Sequence, residues 1–514
     1  MMVFLVYAGS LAGSVFAFRK ARALFRNSKV LLGALFLLLC GISMFVFVSN
    51  HPSPAAAAAN APIGTAKGIF PGRVTWVYNP SAAMWRGTGN YWAATVNPQA
   101  EYNKAFTAGV ENLSGGTNDS TSWDKIFKYF NANHGRTGTG YQLGDSIAIK
   151  VNQNNSAASA SDPGNVMNAN PQTEVAILTS LVKAGIPEGE ITIGDPSRAV
   201  TDNIFNAIHS AFPKVRVIDY FGNNGRITSP TTVNVFPNND VVTGQITTFY
   251  NARYIISQPL MKGHTGTITF GAKNFYGTNG IKPNWQDNGN RHPAENALTN
   301  YMTNAHFGGK VVLWAMDAMY PSPQLDGAPW ANWAEAPFNG KPMSSLILSL
   351  DGVAEESVSW DFFLQHSPST NGGEYITDAA NAGAGVEEHW NSNTARQYSR
   401  NLNPATGKGI ELTYVNTAVV TGTKPALSRA PDLKNLEIGL VTPASVHIVL
   451  PHATDYQLSI VTPAGATIRN VGPGSGKEGE NVVSLNDLHL SKGVYLIRLR
   501  AGDLQMERQV TIVR

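Results

Sequence analysis

Short apolar runs of strand length alternate with helical patterns through the middle of the chain. The runs "SIAIKV", "EITIGD" and "KVRVIDYF" begin at residues 146, 190 and 214. Between them, "QTEVAILTSLVKAG" and "VTDNIFNAIHSAF" place apolar residues at helical spacing. Strand–helix–strand repeats are typical of a parallel sheet covered by helices. The pattern therefore predicts an α/β fold with a mainly parallel sheet core and flanking helices, extended by three later strands: "RYIIS", "KVVLWAM" and "SLILSL".

A different pattern occupies the end of the chain. In "ASVHIVLPHATDYQLSIV" and "GENVVSLNDLHLSKGVYLIRLR", apolar and polar residues alternate in short runs that Gly and Pro separate. Such alternation is typical of strands with one buried face. Residues 435–514 are therefore predicted to form a small antiparallel β-sandwich. Residues 423–434 are predicted to be a linker, and residues 62–422 an α/β domain.

Residues 1–61 have the order of an export signal: a basic region, an apolar core and small residues. The apolar core, Val30 to Val48, is nearly long enough to cross a bilayer, so the segment is either a cleaved signal peptide or an uncleaved membrane anchor. Cleavage is expected near Ala59 or Ala61. The earlier apolar run, Met2 to Phe18, is either a second span or lies upstream of the true translation start. The protein is expected to be extracellular or on the outer cell surface, or periplasmic if the anchor remains.

The charge of the chain argues against a nucleic-acid-binding face. The formal charge is +3, but residues 1–61 hold five basic residues and no acid, which leaves the remainder at −2. Only 14% of residues are charged and 49 are Gly, which fits a loop-rich secreted protein better than a disordered one. The single cysteine, Cys40, lies in the N-terminal apolar run. A processed chain is therefore expected to have no disulfide and no Cys-ligated zinc or iron–sulfur cluster.

Polar side chains follow five of the predicted strands at the point where each strand ends. Lys150 and Asn152 close the first strand, and Asp195, Ser197 and Arg198 follow the second. Ligands of open parallel sheets bind beyond the carboxyl ends of the strands, where neighbouring loops converge. We therefore expect a site for a small anionic ligand at this edge. The later strands and the stretch "QPLMKGHTGTITFGAKNFYG" supply the other candidates: Lys262, His264, Lys273, Asn274, Asp317 and Asp351.

These candidates divide by chemistry into three groups. Burial and crowded positive charges lower lysine pKa values, and imidazole carries protons near neutral pH. The catalytic candidates are accordingly Lys150, Lys262 and His264. Side chains that neutralise or orient an anion are Asn152, Ser197, Arg198, Lys273 and Asn274. Oxygen ligands for a divalent cation, or groups that tune the lysines, are Asp195, Asp317 and Asp351.

Each candidate also has a purely structural interpretation. An Asp after a strand is often a turn former or a helix cap, and His264 alone fits a hydrogen-bonded loop residue. Lys150 lies within an apolar strand, where lysine is rarely buried without a partner, so one of the three Asp residues is expected to pair with it. The sequence holds no P-loop, no nucleophile elbow and no dinucleotide fingerprint.

Five segments of the chain resemble the bacterial domain-of-unknown-function-362 family. They are "IAIKVNQN", "PQTEVAILTSLVKAGIPEGEITIGDPSR", "YIISQPLMKGHTGTITFGAKNFYG", "VVLWAMDAM" and "LILSLDGVAEESVSWDFF". The family's Lys-x-Asn, Lys-x-His, Lys-Asn and late Asp positions are matched by Lys150, Asn152, Lys262, His264, Lys273, Asn274 and Asp351. Some members carry ferredoxin-like cysteine motifs, which this chain lacks, so their redox role is not implied. The resemblance implies a domain and no particular reaction.

The C-terminal segment resembles the sorting domain of type IX secretion substrates. The matching features are "TPAGATI", "GENVVSL", "LSKGVYLIRL" and the basic last residue, Arg514. The usual Asn-Pro start of that domain is absent from "NLEIGLVTPASV". The resemblance implies secretion machinery as a partner; the alternative is a generic sandwich that packs on the main domain and binds nothing.

Three functions remain open from the sequence. The first is an exported, surface-attached enzyme that acts on a small phosphate- or carboxylate-bearing substrate. The second is a non-catalytic surface protein that captures an anionic metabolite or a glycan, with tryptophans in residues 72–92 and in "APWANWAEAPF" as stacking faces. The third is a structural surface protein whose strand-end charges form only ion pairs. Nucleic acid is not expected as a partner, and the membrane only through an uncleaved N-terminal segment.

Overall fold

The part of the chain that can be described begins at residue 57. The computed structural model describes residues 57–155, 166–228, 231–233, 235, 245–264, 267–278, 295–322, 328–368, 372–404, 408–417, 437–441, 445–450, 454–461, 467–477, 479–485, 493–501 and 504–512. Most of the predicted export segment, the predicted linker 423–434 and Arg514 lie outside these residues. Their predicted roles stay predictions.

Fourteen strands precede the C-terminal region in the described residues. They are β1 (Ile63–Gly64), β2 (Arg73–Tyr78), β3 (Ile147–Lys150), β4 (Ile191–Asp195), β5 (Arg216–Asp219), β6 (Thr232–Val233), β7 (Gln245–Ile246), β8 (Tyr254–Ser257), β9 (Leu260–His264), β10 (Thr267–Ile268), β11 (Val311–Ser322), β12 (Ser345–Ser349), β13 (Val386–Glu387) and β14 (Glu411–Asn416).

Ten α-helices lie between these strands in the same described residues. They are α1 (Gln99–Ser114), α2 (Asp119–Ala132), α3 (Pro171–Lys183), α4 (Asp202–Ala211), α5 (Thr247–Asn251), α6 (Gly271–Asn274), α7 (Glu295–Thr303), α8 (Gly352–His366), α9 (Glu374–Asn381) and α10 (Ser399–Leu402). The patterns that predicted α3 and α4 are confirmed. α1, which is amphipathic but lies in an aromatic-rich region, was not predicted.

The central sheet has the strand order β14-β2-β12-β11-β8-β3-β4-β5, and β9 pairs with the end of β11. Neighbouring strands are parallel except where β12 contacts β11 and β2. The predicted mixed α/β fold with a mainly parallel sheet is therefore confirmed. The expectation that the end of β12 joins the other strand ends is wrong, because β12 runs in the opposite direction.

The direction of β12 follows from the connection that precedes it. A parallel neighbour of β11 requires a crossover, usually through a helix. The described part of the connection, residues 328–344, contains no helix. Instead, Trp330 N–H donates to Pro321 O at 3.0 Å and Ser344 N–H donates to Met319 O at 3.0 Å, so the chain folds back beside β11.

Local sequence explains where α3 begins and ends. Pro171 opens α3, where its missing N–H costs nothing, and the side chain of Asn170 accepts the N–H of Gln172. After Lys183 the chain leaves the helix through Gly185, whose φ of +93° favours glycine.

Both faces of the sheet are covered by apolar residues. Alternate residues of β8 belong to different clusters: Ile255 packs in one, and Tyr254 and Ile256 pack in the other. The first cluster includes residues of α8 and α9, and the second includes residues of α1, α2 and α3. The near-continuous apolar strands are those expected of a sheet that is buried on both faces.

The C-terminal strands form two small antiparallel sheets. Their strands are β15 (Glu437–Val441), β16 (Ser445–Leu450), β17 (Thr454–Val461), β18 (Thr467–Gly476), β19 (Gly479–Ser484), β20 (Gly493–Ala501) and β21 (Leu504–Ile512). The sheets have the orders β15-β16-β19 and β18-β17-β20-β21. Ile448 of the first sheet and Leu458 and Leu499 of the second belong to one apolar cluster.

None of the helices in the described residues is both long enough and apolar enough to cross a bilayer.

Candidate functional site

Three strand ends meet at one edge of the central sheet. β3 has β8 on one side and β4 on the other, and all three strands are parallel. Lys150 ends β3, Asp195 ends β4 and Ser257 ends β8. Because parallel strands end at the same edge, the loops that follow these residues lie side by side.

Lys150 and Asp195 form a buried ion pair at this edge. Lys150 Nζ lies 3.1 Å from Asp195 Oδ2, and Lys150 is only 1% exposed. The ammonium also donates to the carbonyl oxygen of Val151 at 2.5 Å and to Asn274 Oδ1 at 3.3 Å. Burial lowers the pKa of Lys150, and the Asp195 carboxylate acts in the opposite direction. Asp195 therefore favours the charged form of a lysine that burial alone would neutralise.

The Asp195 carboxylate is held by the loops around it. Oδ2 accepts the backbone N–H of Gln153 at 3.0 Å. Oδ1 accepts the Ser197 hydroxyl at 2.9 Å and the Ser197 N–H at 3.2 Å. Gly194, the preceding residue, has a φ of +150°, and a Cβ there would lie 1.9 Å from Ile218 O. A glycine is needed at this position for β4 to approach β5 so closely.

The segment after β10 closes over the ion pair. Asn274 Nδ2 donates to Lys150 O at 2.9 Å and to Ser257 Oγ at 3.3 Å, which ties α6 to the ends of β3 and β8. Gly277 lies directly against the ion pair, since a Cβ at that residue would be 2.4 Å from Asp195 Oδ1 and 2.5 Å from Lys150 Nζ. The absence of a side chain at residue 277 therefore permits this contact.

The segment 260–274 brings further cations to the same edge. β9 runs beside the extended end of β11, with Lys262 opposite Ser322, and β10 pairs back with β9 before α6 begins. Lys273 on α6 is 6% exposed, and Lys262 is fully buried. Burial, and then the positive charge of Lys262, lower the pKa of Lys273 to about 7. Near neutral pH this lysine is therefore partly uncharged and can accept a proton.

Arg198 lies on the other side of Asp195. Its guanidinium is almost fully buried and donates to Ser197 O at 3.0 Å and to Asn154 O at 3.3 Å. Nη2 lies 3.5 Å from Asn154 Oδ1. These bonds hold the guanidinium at the same edge of the sheet as Lys150.

The side chains from these loops line a single narrow cleft of about 30 Å³. Its lining residues are Lys150, Asn152, Asn154, Asp195, Ser197, Arg198, His264, Thr269, Lys273, Asn274, Tyr276 and Gly277. Among the lining residues that the structure describes are three lysine or arginine side chains, one histidine and one carboxylate, Asp195. All catalytic and substrate-binding candidates lie here except Lys262, which is not among the lining residues and acts on the cleft through Lys273.

Asp317 does not line this cleft. β11 continues six residues beyond the predicted strand end at Met316, so Asp317 lies inside it and not beyond its end. Asp317 Oδ2 accepts the Thr173 hydroxyl at 2.7 Å, and Oδ1 accepts the Met319 N–H at 2.9 Å. Burial raises the pKa of Asp317 to about 6. The neighbouring Glu174 has a pKa well above the usual range, because it is buried and because the negative charge of Asp317 is nearby.

Asp351 lies at the opposite edge of the sheet, because it follows the antiparallel strand β12. There it caps α8, accepting the N–H of Ala354 at 3.0 Å, and it also accepts the N–H of Lys67 at 2.8 Å. Burial raises its pKa to about 6. The helix-cap interpretation of Asp351 therefore describes its position, and its expected placement near Lys150 is wrong.

The three aspartates predicted as cation ligands are thus distributed over three places. In the described part of the chain, no group of three or more His, Cys, Asp and Glu residues is arranged to hold a metal ion. The predicted ligand set does not assemble, and a divalent cation stays a prediction without a defined site.

Some lining residues were not among the candidates. Tyr276 and Gly277 follow the Lys273–Asn274 pair directly, and Asn154 lies two residues after Asn152. Their nearness in sequence to candidates was the available signal. Thr269 had no such signal, because it is brought into place by the β9–β10 hairpin.

No curated protein matches the chain. Among solved structures, an FMN-binding beta-glucuronidase from Facaelibacterium prausnitzii L2-6 is similar at 7% identity and a TM-score of 0.15, covering 86% of this chain and 59% of that one. A TM-score this low carries no argument about the fold or a cofactor.

The segment that lines the cleft also matches a family of proteins. Every lining residue falls between Lys150 and Gly277. Residues 147–361 match the family described as "Domain of unknown function (DUF362)", which supports the family resemblance over that segment.

Proposed function

We propose that the cleft binds a small anion carrying phosphate or carboxylate, and that the protein is an enzyme acting on it. One observation carries the proposal: Lys150, Arg198 and Lys273 line the same cleft as the amides of Asn152 and Asn274. Ammonium, guanidinium and amide groups donate the hydrogen bonds by which proteins bind phosphate and carboxylate.

Chemical steps at the cleft would use groups of two kinds. Lys150 stays with its carboxylate partner and is suited to hold negative charge on the substrate. Lys273, whose pKa lies near 7, and His264 are suited to accept and return a proton. The amides of Asn152 and Asn274 offer donors and acceptors that orient the ligand.

The first experiment measures anion binding by calorimetry with inorganic phosphate, sulfate and a panel of phosphorylated and carboxylated metabolites. Arg198→Ala and Lys273→Ala are expected to weaken binding by tenfold or more, on the scale of 1.5–3 kcal/mol for a charge-assisted hydrogen bond. The matched control is Lys128→Ala on the exposed face of α2, where the lysine pairs with Asp124 at 2.7 Å. Equal affinity in all three variants and the wild type would reject the cleft as the site.

The second experiment separates catalysis from capture. Product formed from a member of the panel supports an enzyme, whereas a thermal shift without turnover supports a non-catalytic binding protein. Among the aromatic residues considered for glycan stacking, Trp76, Trp85, Tyr91 and Trp333 are at most 3% exposed and belong to the core, whereas Trp92 and Trp330 are half-buried. The direct Lys150–Asp195 contact fits a structural ion pair, but it does not account for Arg198 and Lys273 around a cleft.

We also propose that the protein is exported and that its two C-terminal sheets pack as a sandwich that secretion machinery recognises. The basic–apolar–small order of residues 1–61 and the apolar cluster shared by the two sheets support this. Removal of residues 435–514 is expected to leave the protein in the periplasm of a host with type IX secretion. Fractionation with immunoblotting tests this, and unchanged surface display would reject it. N-terminal sequencing distinguishes cleavage near Ala59 or Ala61 from a retained anchor.

A further inference from the structure

An open groove lies at the amino edge of the central sheet, opposite the cleft. β11, β8 and β3 are adjacent and parallel. The residues directly before these strands, Lys310, Arg253 and Ser146, line the groove, which has a volume of about 380 Å³. That volume lies within the range of about 300–1,000 Å³ that is usual for small-molecule sites. The topology of the sheet therefore brings residues that are distant in sequence to one place.

Three cations border this groove. Lys310 and Arg253 precede two of the strands, and Arg136 comes from the loop after α2. Arg136 Nη1 donates to both oxygens of Asp145, at 2.8 and 2.9 Å. Arg253 Nη2 donates to Asn131 Oδ1 at 3.0 Å. Contacts within the domain therefore fix both guanidinium groups.

These contacts leave donors for a ligand. In the described residues, the side-chain hydrogen bonds of Arg253 all come from Nη2, and those of Arg136 all come from Nη1. Lys310 Nζ donates to the carbonyl oxygen of Tyr250. A guanidinium carries N–H donors on every nitrogen, and an ammonium carries more than one. Each of the three cations can therefore also donate to an anion in the groove.

The charges around the groove match a doubly charged anion. With His134 neutral, the described lining residues include three cations and one carboxylate, Asp145, which is a net charge of +2. A phosphate monoester carries about −1.5 to −2 near pH 7, and its oxygens accept charge-assisted hydrogen bonds from Arg and Lys. A sulfate ester is singly charged and would leave the groove positive.

An aromatic pair lies beside these cations. The His134 ring stacks on Phe130, with ring centroids 3.9 Å apart, and both residues line the groove. The guanidinium carbon of Arg253 lies 5.8 Å from the centroid of the Phe130 ring. Asn251 and Ser146 add polar groups to the lining. This lining suits an organic group that has both apolar and polar parts.

We propose that the groove binds a small phosphate monoester, with the phosphate held by Arg136, Arg253 and Lys310. The organic part, a sugar or a nucleoside, contacts the Phe130–His134 pair. The groove and the cleft are separate, because β3 begins at the groove and ends at the cleft. The ester site therefore does not rest on the anion site proposed for the cleft.

Calorimetry with the full-length protein tests the charge of the ligand. The probes are two matched pairs: glucose 6-phosphate with glucose 6-sulfate, and AMP with adenosine 5′-sulfate. Near pH 7 we expect a phosphate ester to bind at least tenfold more tightly than its sulfate partner. The tighter of the two phosphate esters identifies the organic part. No binding of either phosphate ester, or equal affinity for phosphate and sulfate, would overturn the proposal.

Variants locate the bound ester. Lys310→Met removes a charge and keeps the alkyl stem, so the affinity is expected to fall tenfold or more. Arg136→Gln, at a side chain that is 41% exposed, is a second groove variant with the same expected loss. Lys128→Met removes an exposed charge from α2 and is the matched control, with an affinity within twofold of the wild type. Thermal unfolding establishes that each variant is folded.

A cleft variant separates the two sites. Affinity lost in Lys310→Met and Arg136→Gln but kept in Arg198→Ala supports the groove, whatever inorganic phosphate does in the cleft. Affinity lost in Arg198→Ala but kept in both groove variants would place the ester in the cleft and overturn the inference. Wild-type affinity in every variant would overturn it as well.

Discussion

The Lys150–Asp195 pair has a large effect on stability because both charges are buried. Removing one partner leaves the other charge without compensation, which costs about 3–5 kcal/mol, whereas replacing both with neutral groups costs much less. We expect Lys150→Met alone to lower the free energy of unfolding by about that amount. The double variant Lys150→Met/Asp195→Asn should recover most of it, as measured by urea denaturation.

The double variant also separates stability from binding. It lacks the Lys150 cation, so phosphate affinity should remain at least tenfold weaker although the protein is folded. A double variant that is folded and binds phosphate as the wild type does would contradict the role given to Lys150.

Gly277 gives a test of the close contact against the ion pair. In Gly277→Ala the new Cβ would lie 2.4 Å from Asp195 Oδ1, so the pair or the segment must move, at a cost of about 1–3 kcal/mol. Phosphate affinity should fall with it. Gly189→Ala is the matched control, since nothing lies within 4 Å of a Cβ there. Equal melting temperatures for the two variants would show that the contact is not tight.

The residues of the cleft differ in how far the sequence could predict them. Lys150 was identifiable because a lysine inside an apolar strand needs a partner, and Asp195 followed the next strand. Thr269 could not be found, because a hairpin brings it to the cleft. Asp351 was misplaced because a short apolar run predicts a strand but carries no information about its direction.

Because β12 is antiparallel to its neighbours, it places Asp351 at the edge of the sheet opposite the cleft. Since Asp351 caps α8 at the edge opposite the cleft, Asp351→Ala is expected to lower the free energy of unfolding by about 1–3 kcal/mol. Phosphate affinity of the folded variant should stay within twofold of the wild type. Calorimetry below the melting temperature measures this, and a tenfold loss would place Asp351 functionally at the cleft.

Helix α8 carries a buried carboxyl that makes stability depend on pH. Glu356 Oε1 accepts the N–H of Ala272, the second residue of α6, at 2.6 Å, and Tyr375 donates its hydroxyl to Oε2. Burial raises the pKa of Glu356 from 4.5 to about 8. Between these pH values the folded protein holds a proton that the unfolded chain releases, so stability decreases as pH rises.

Glu356→Gln should reduce that dependence. Glutamine resembles the protonated carboxyl, so the variant should lose up to about 1.4 kcal/mol of slope per pH unit between pH 4.5 and 8. Burial also raises the pKa of the neighbouring Glu355, so the variant should keep part of the dependence of stability on pH. Urea denaturation across this range measures the slope; an unchanged slope would mean that Glu356 is ionised in the folded state.

Across the whole molecule, the pattern of hydrophobic residues predicted which segments form strands and helices better than it predicted the order of the strands in the sheet. Each strand of the β3–α3–β4–α4–β5 segment was recognisable because apolar runs and helical spacing alternate there. The position of β8 between β3 and β11 depends on pairing between distant segments, which a local pattern does not specify. The C-terminal alternation predicted antiparallel strands, and two small antiparallel sheets are observed.

The cleft should not depend on the C-terminal sheets. All its lining residues lie between Lys150 and Gly277, and the C-terminal strands have their own apolar cluster. A chain that ends at residue 422 is therefore expected to bind phosphate within twofold of the full-length protein, by calorimetry. A folded truncated chain that has lost binding would show that the last strands support the cleft.

The strand order has a consequence for how the protein folds. β3, β4 and β5 are successive in the chain and adjacent in the sheet, whereas Asn274 reaches Lys150 across 124 positions. Long loops close late because their entropy cost precedes any contact. We therefore expect the Lys150–Asp195 pair to form in water and to be dehydrated only when the segment with Asn274 and Gly277 arrives. A ligand that contacts both Arg198 and Lys273 would join the early and late parts of the domain, and should slow its unfolding.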